Sequence, residues 1–149
     1  MPKKYRRRML SKLDHEEAEK KLNRIRLLLK KVNNNINRFV EKYKFKRIPS
    51  NKISSSNLIF TNKKLGVVVK VPYLTRGIDE FPAHSIPTVA VKRTHSKDSN
   101  YSHILIQPLG KLINTKKAHA MLQRRVDVIS DDHEGNVAWY KNCPVWIDW

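Results

Sequence analysis

The sequence has one cysteine, four glycines and no long apolar run among its 149 residues. The single cysteine, Cys143, excludes an internal disulfide framework and is compatible with a reducing compartment. No stretch of about 18 apolar residues occurs, so we expect no membrane-spanning helix and no membrane partner. The basic start at residues 1–8 is not followed by a continuous apolar segment, which argues against a secretory signal. These absences predict a cytoplasmic protein, in a cell or in a virus-infected host.

Acidic residues are also scarce: 13 Asp and Glu stand against 31 Lys and Arg, for a formal net charge of +18. The imbalance is uneven, because residues 1–47 contain 17 basic and 5 acidic residues and residues 48–149 contain 14 and 8. A charge of this size attracts polyanions in a salt-sensitive way. We therefore expect nucleic acid or another polyanion as a partner of the basic N-terminal part.

Residues 1–47 are predicted to form a separate basic segment dominated by one helix. Ser11 and Asp14 have the spacing of a helix N-terminal cap, and acidic residues follow where the helix dipole favours negative charge. Apolar residues then recur alternately four and three positions apart, at Ala18, Leu22, Ile25, Leu29, Val32, Ile36, Phe39 and Tyr43. This heptad seam predicts a helix of about 30 residues. The seam either packs on strands of the same domain or joins two copies as a homodimer.

The remaining residues, 48–149, are predicted to form an α+β domain with an antiparallel sheet. Runs rich in β-branched residues predict two hairpins, from residues 58–60 with 66–71 and from residues 87–91 with 103–106. A shorter helix is expected over residues 115–128. A last hairpin is expected from residues 137–140 and 143–147, with Lys141 and Asn142 as its turn. Because the strands follow one another without crossover helices, the sheet is expected to be antiparallel.

The C-terminal segment contains the pattern most indicative of chemistry. Asp131 is followed five residues later by Asn136, and Asp148 ends the apolar strand of the last hairpin. Phosphotransferases that use ATP place a catalytic base and two magnesium ligands in this order. Asn and Asp supply the oxygen ligands that magnesium requires. A hairpin between Asn136 and Asp148 is expected to hold them near each other.

These residues resemble the catalytic loop of the protein-kinase-like superfamily, in its aminoglycoside-phosphotransferase-like and atypical-kinase branches. The loop pattern Asp-x-His-x-Gly-Asn falls on Asp131, His133, Gly135 and Asn136. The resemblance implies ATP and magnesium as cofactors and a domain of minimal size that ends after the metal-binding Asp. In this interpretation Asp131 is the catalytic base, and Asn136 and Asp148 bind the metal. His133 is expected to brace the loop.

Two upstream segments extend the resemblance. Lys70, in the apolar run 65–72, resembles the strand lysine that contacts the nucleotide phosphates and supports catalysis. Residues 102–110 resemble the strand and hinge that bind adenine through backbone groups, which implies Gln107 and Leu109 as nucleotide contacts. These residues, Lys70 and the C-terminal cluster are expected to line one cleft. A lysine in a valine-rich strand is also typical of an edge strand, where it discourages aggregation.

Several features depart from the family and leave other functions open. The segment 48–57 contains no glycine where a glycine-rich phosphate loop is expected, and Glu80 is a weak candidate for the glutamate that pairs with the lysine. A non-catalytic protein, either a degenerate kinase-like domain or a basic nucleic-acid-associated factor, is therefore an alternative. The run from His133 to Asn136 also resembles the core of HNH endonucleases, in which His133 would activate water beside a metal.

Overall fold

The computed structural model describes residues 9–48, 58–71, 84–93, 103–123 and 137–147. The chain divides into two compact units. Residues 18–78 and 88–109 form the first, named here the helix–sheet unit, and residues 1–17, 79–87 and 110–149 form the second, named the hairpin unit. Both units include residues from either side of position 47. The assignment of residues 48–149 as a nucleotide-binding domain remains a prediction.

The described elements confirm the α+β class with a long N-terminal helix. The helices are α1 (Lys12–Lys30), α2 (Ile36–Lys42) and α3 (Thr115–Gln123). The strands are β1 (Lys46–Ile48), β2 (Leu58–Asn62), β3 (Val67–Val71), β4 (Val89–Lys92), β5 (His103–Pro108), β6 (Val137–Tyr140) and β7 (Cys143–Trp146). Five strands form an antiparallel sheet in the order β1-β2-β3-β5-β4, and β6 pairs with β7.

Helix α1 begins as its sequence predicts. The Ser11 Oγ accepts a hydrogen bond from the backbone N–H of Asp14 at 3.1 Å, and the Asp14 Oδ2 accepts one from the backbone N–H of Ser11 at 3.0 Å. This reciprocal pair satisfies two backbone donors that a helix start leaves without intrahelical partners. The negative carboxylate also lies at the helix end where the dipole stabilises it.

The expected single helix of about 30 residues is wrong, because two helices take its place. Asn33 and Asn34 both adopt φ of 55°, a left-handed conformation that ends α1 and that asparagine tolerates better than most residues. Asn35 then caps α2, since its Oδ1 accepts a hydrogen bond from the Arg38 backbone N–H at 3.1 Å. The asparagine-rich stretch therefore works as a helix stop followed by a helix start.

The helix–sheet unit has its core between the apolar seam and one face of the sheet. Val67, Val69 and Val71 of β3 lie in one buried cluster with seam residues of both helices, namely Leu22, Ile25, Leu29, Ile36 and Phe39. The cluster also contains Ile104 and Ile106 of β5. The seam therefore packs on strands of its own domain, which confirms the first of the two alternatives. A homodimer through the seam would require side chains that this core already buries.

The hairpin unit is built around β6 and β7. Lys141 and Asn142 form the turn with φ of 51° and 64°, the two left-handed residues that a tight hairpin turn requires. Trp139 and Trp146 pack with Ala118 and Leu122 of α3 in one buried cluster. The Trp139 indole N–H also donates to the Asn114 carbonyl at 3.3 Å. The predicted last hairpin and its turn are thus confirmed.

Candidate functional site

Lys70 lies on the middle strand of the five-stranded sheet. Strand β3 pairs with β2 on one side and with β5 on the other, so both of its edges are covered. The Lys70 side chain is only 7% exposed. An edge lysine that keeps a sheet soluble must reach water, and this one does not. The edge-strand interpretation of Lys70 is therefore wrong, because strand order places β3 at the centre.

The side chain of Lys70 lies on the sheet face opposite to the one that packs against α1 and α2. Side chains alternate between faces along a strand, and its neighbours Val69 and Val71 belong to the helix-covered core. Lys70 is paired with Leu105 of β5, and Val68 is paired with Gln107. Paired residues share a face, so Lys70 and Gln107 are diagonal neighbours on it, about 7–8 Å apart. The structure thus brings two of the predicted nucleotide contacts together.

Gln107 is a buried polar residue on this face, with 2% of its surface exposed. Its Nε2 donates a hydrogen bond to the Thr88 Oγ1 at 3.2 Å, which fixes the direction of the amide. Buried polar groups are stable only when they are hydrogen-bonded. This hydrogen bond therefore holds the Gln107 amide in a defined orientation.

Leu109 follows β5 at the position expected for the hinge. It is 37% exposed, and its backbone N–H donates to the Gly66 carbonyl at 2.9 Å. Gly66 ends the β2–β3 turn with φ of 68°, a conformation that glycine adopts without strain. An adenine ring that uses the Leu109 N–H would first have to displace this hydrogen bond. The predicted contact through Leu109 therefore requires a local rearrangement.

The predicted base and metal ligands, Asp131, Asn136 and Asp148, lie outside the described residues, as do His133 and Glu80. The residues beside them are described. Val137, bonded to Asn136, pairs with Trp146, which precedes Asp148 by two residues. The segments that continue to Asn136 and to Asp148 therefore start from the same end of the β6–β7 hairpin. Among the described residues, no group of three or more His, Cys, Asp or Glu is placed to hold a metal ion.

That hairpin is firmly held on both edges. Isolated bridges join Ser85 to Trp146 and Lys111 to Trp139, and the backbone pair between Lys111 and Trp139 has distances of 2.8 and 2.9 Å. At the closed end, burial and the negative charges of Asp14 and Glu17 raise the pKa of the Tyr140 hydroxyl above its ordinary value. Tyr140 therefore stays protonated at neutral pH. Backbone hydrogen bonds to residues outside the hairpin thus engage both β6 and β7.

The structure also shows a charge distribution that a count along the chain does not reveal. Within the described ranges, the helix–sheet unit contains 16 Lys and Arg and only two acids, Glu19 and Glu41. The described part of the hairpin unit contains five basic and three acidic residues. The positive charge therefore belongs mainly to one unit. Along the sequence the basic residues of this unit are not grouped together. Those of α1 are far from Lys63, Lys64, Lys92 and Arg93.

No family model, curated protein or solved structure matches this chain. In the part of the chain that the structure describes, no helix is both long and apolar enough to span a membrane.

Proposed function

We propose that this protein binds ATP with magnesium and transfers the γ-phosphate, as a kinase-like phosphotransferase. The observation that carries the proposal is Lys70, a charged side chain that is 7% exposed on the central strand of the sheet. Many ATP sites hold the nucleotide phosphates with a lysine on a sheet strand, and the packing around Lys70 limits where its ammonium group can lie.

Gln107 supports the same site, because it is oriented on the face that carries Lys70. A buried amide can recognise an adenine edge or fix the strand beside it. In the proposal Lys70 binds phosphate oxygens, and Gln107 and the segment to Leu109 contact the base. Each of these roles can be tested by one substitution.

Asp131, Asn136 and Asp148 supply the remaining groups. Asn136 and Asp148 offer oxygen donors, which fit magnesium and fit zinc or copper poorly. Bound magnesium would neutralise phosphate charge during transfer. Asp131 would accept the proton of the attacking hydroxyl. The β6–β7 hairpin supports this set, since along the chain Asn136 directly precedes its first strand and Asp148 follows its last strand by two residues.

A calorimetric titration with ATP, with and without magnesium, tests the metal assignment. The unmodified protein should bind ATP about tenfold more tightly with magnesium, and Asp148→Asn should remove that difference because it deletes a charged ligand. Asp132→Asn makes the same chemical change one residue after the predicted base and should leave the magnesium effect unchanged. Equal ATP affinity with and without magnesium in the unmodified protein would contradict the assignment.

Polyanion binding is a second candidate function, favoured by the charge of the helix–sheet unit. Sixteen basic residues against two acids in its described part would attract a phosphate backbone without any catalytic group. Such binding weakens steeply with added salt, which separates it from nucleotide binding in a built site. The endonuclease alternative depends on His133, which lies outside the described residues, and it stays a prediction.

A further inference from the structure

The outer side of α1 has a shallow depression close to the end of the helix. It has a volume of about 580 Å³ and is lined by Arg24, Leu27, Leu28, Lys30 and Lys31. Leu27 is 56% exposed, whereas Leu29 on the core side is fully buried. The depression is named here the α1 depression. Its volume falls in the range of sites that hold a small ligand or a few side chains.

Three cations surround the exposed leucine. Arg24, Lys30 and Lys31 are all exposed, and within the described ranges no ion pair or side-chain hydrogen bond engages them. Residues 20–31 contain six basic residues and no acid, although residues 12–19 contain four acids. The helix dipole favours cations in the last turn of α1, which accounts for Lys30. It accounts neither for Arg24, two turns before that end, nor for an exposed leucine between the cations.

The two leucines that line the α1 depression, Leu27 and Leu28, indicate which kind of anionic partner it suits. A nucleic acid backbone presents phosphates and sugars, which gain from the cations but make no use of Leu27. A flat lipid surface would lie against the rim of the α1 depression and would leave the depression itself unfilled. A peptide with an apolar side chain between carboxylates complements both properties, because the side chain fills the depression and the carboxylates meet the cations.

We propose that the α1 depression is a docking site for an acidic peptide segment that presents a leucine-like side chain between carboxylates. The charge complementarity comes from Arg24, Lys30 and Lys31, and the apolar contact comes from Leu27 and Leu28. This site uses none of the residues assigned to nucleotide binding, so it stands or fails independently of that proposal.

Fluorescence polarisation with two labelled peptides tests the site. One is Glu-Asp-Glu-Leu-Leu-Asp-Glu-Asp, and the other has serine in place of both leucines. The intact protein should bind the leucine peptide about tenfold more tightly, as partial burial of a leucine side chain implies. Leu27→Ser should remove that preference while keeping the fold, since Leu27 is exposed. Circular dichroism checks the helix content of each variant.

Charge variants complete the test. Arg24→Glu should lower the affinity for both peptides about tenfold. Lys20→Glu makes the same charge change on the same helix but outside the depression, and it should lower the affinity less than about threefold. Equal binding of the two peptides, or an equal effect of Lys20→Glu and Arg24→Glu, would overturn the proposal. So would preferential displacement of the peptide by a short DNA duplex, or a dimer in sedimentation that Leu27→Ser converts to monomer.

Discussion

Replacing Lys70 by methionine is expected to weaken ATP binding by about 10- to 100-fold, because it removes a charge-assisted contact to phosphate. Any phosphate transfer should fall by about 100-fold or more, since developing charge on the phosphoryl group would lose its fixed cation. Methionine keeps the length and apolar stem of the side chain, and Lys70 is already 7% exposed. The fold should therefore survive. Calorimetry gives the affinity, and release of labelled phosphate gives the rate.

The matched control is Lys64→Met. Lys64 is exposed in the turn between β2 and β3, so its replacement removes the same charge from the same unit without touching the sheet face. Its ATP affinity should stay within about twofold of the unmodified protein, as expected for a screened surface charge. Equal losses in Lys64→Met and Lys70→Met would show that ATP is held by overall charge and would remove the basis of the proposed site.

Replacing Phe39 by alanine is expected to lower the free energy of unfolding by about 3–5 kcal/mol. Phe39 is fully buried on α2, with its ring 5.2 Å from that of Tyr43 and 5.0 Å from that of Phe45. The substitution would leave a cavity between the short helix and the sheet. Because small domains have total stabilities of about 5–15 kcal/mol, this loss would remove a large share of the free energy that holds the fold. Urea denaturation followed by circular dichroism measures the change.

Leu27→Ala provides the control for apolar truncation at an exposed helix position. It should change the free energy of unfolding by less than about 0.5 kcal/mol, because Leu27 is 56% exposed. Phe39→Leu should lie between the two variants, since leucine fills part of the cavity. A change in Phe39→Ala below about 1 kcal/mol would mean that α2 does not stabilise the core.

Local signals in the sequence predicted the elements whose causes are local. The Ser11 and Asp14 cap, the valine-rich run of β3 and the turn at Lys141 and Asn142 each depend on neighbouring residues, and all three were confirmed. The helix break was not predicted, because the seven-residue spacing from Leu29 to Ile36 continues across it. Both helices bury the same face, so the apolar period persists where the backbone hydrogen bonding changes.

The position of Lys70 was beyond local reasoning. Whether a lysine in a strand is solvated or buried depends on strand order, and here β5 pairs with the edge of β3 that a hairpin alone would leave open. The hydrogen bond from Leu109 to the Gly66 carbonyl is likewise a contact between residues distant along the chain. The α1 depression is formed by side chains on the outer surface of one helix. From the hydrophobic periodicity, that surface is expected to face solvent. The roles of Asp131, Asn136 and Asp148 still rest on sequence order.

Amide chemical shifts in a nitrogen-15 labelled sample, recorded while magnesium and ATP are added, test whether nucleotide binds on this face of the sheet. A site there should give saturable shifts centred on β3 and β5, at Val69, Lys70 and Gln107, together with the side-chain amide of Gln107. The Leu109 amide should shift as well if its hydrogen bond to Gly66 is released. Shifts confined to the basic residues of α1 and α2, or the absence of saturable shifts in β3 and β5, would contradict a nucleotide site on this sheet face.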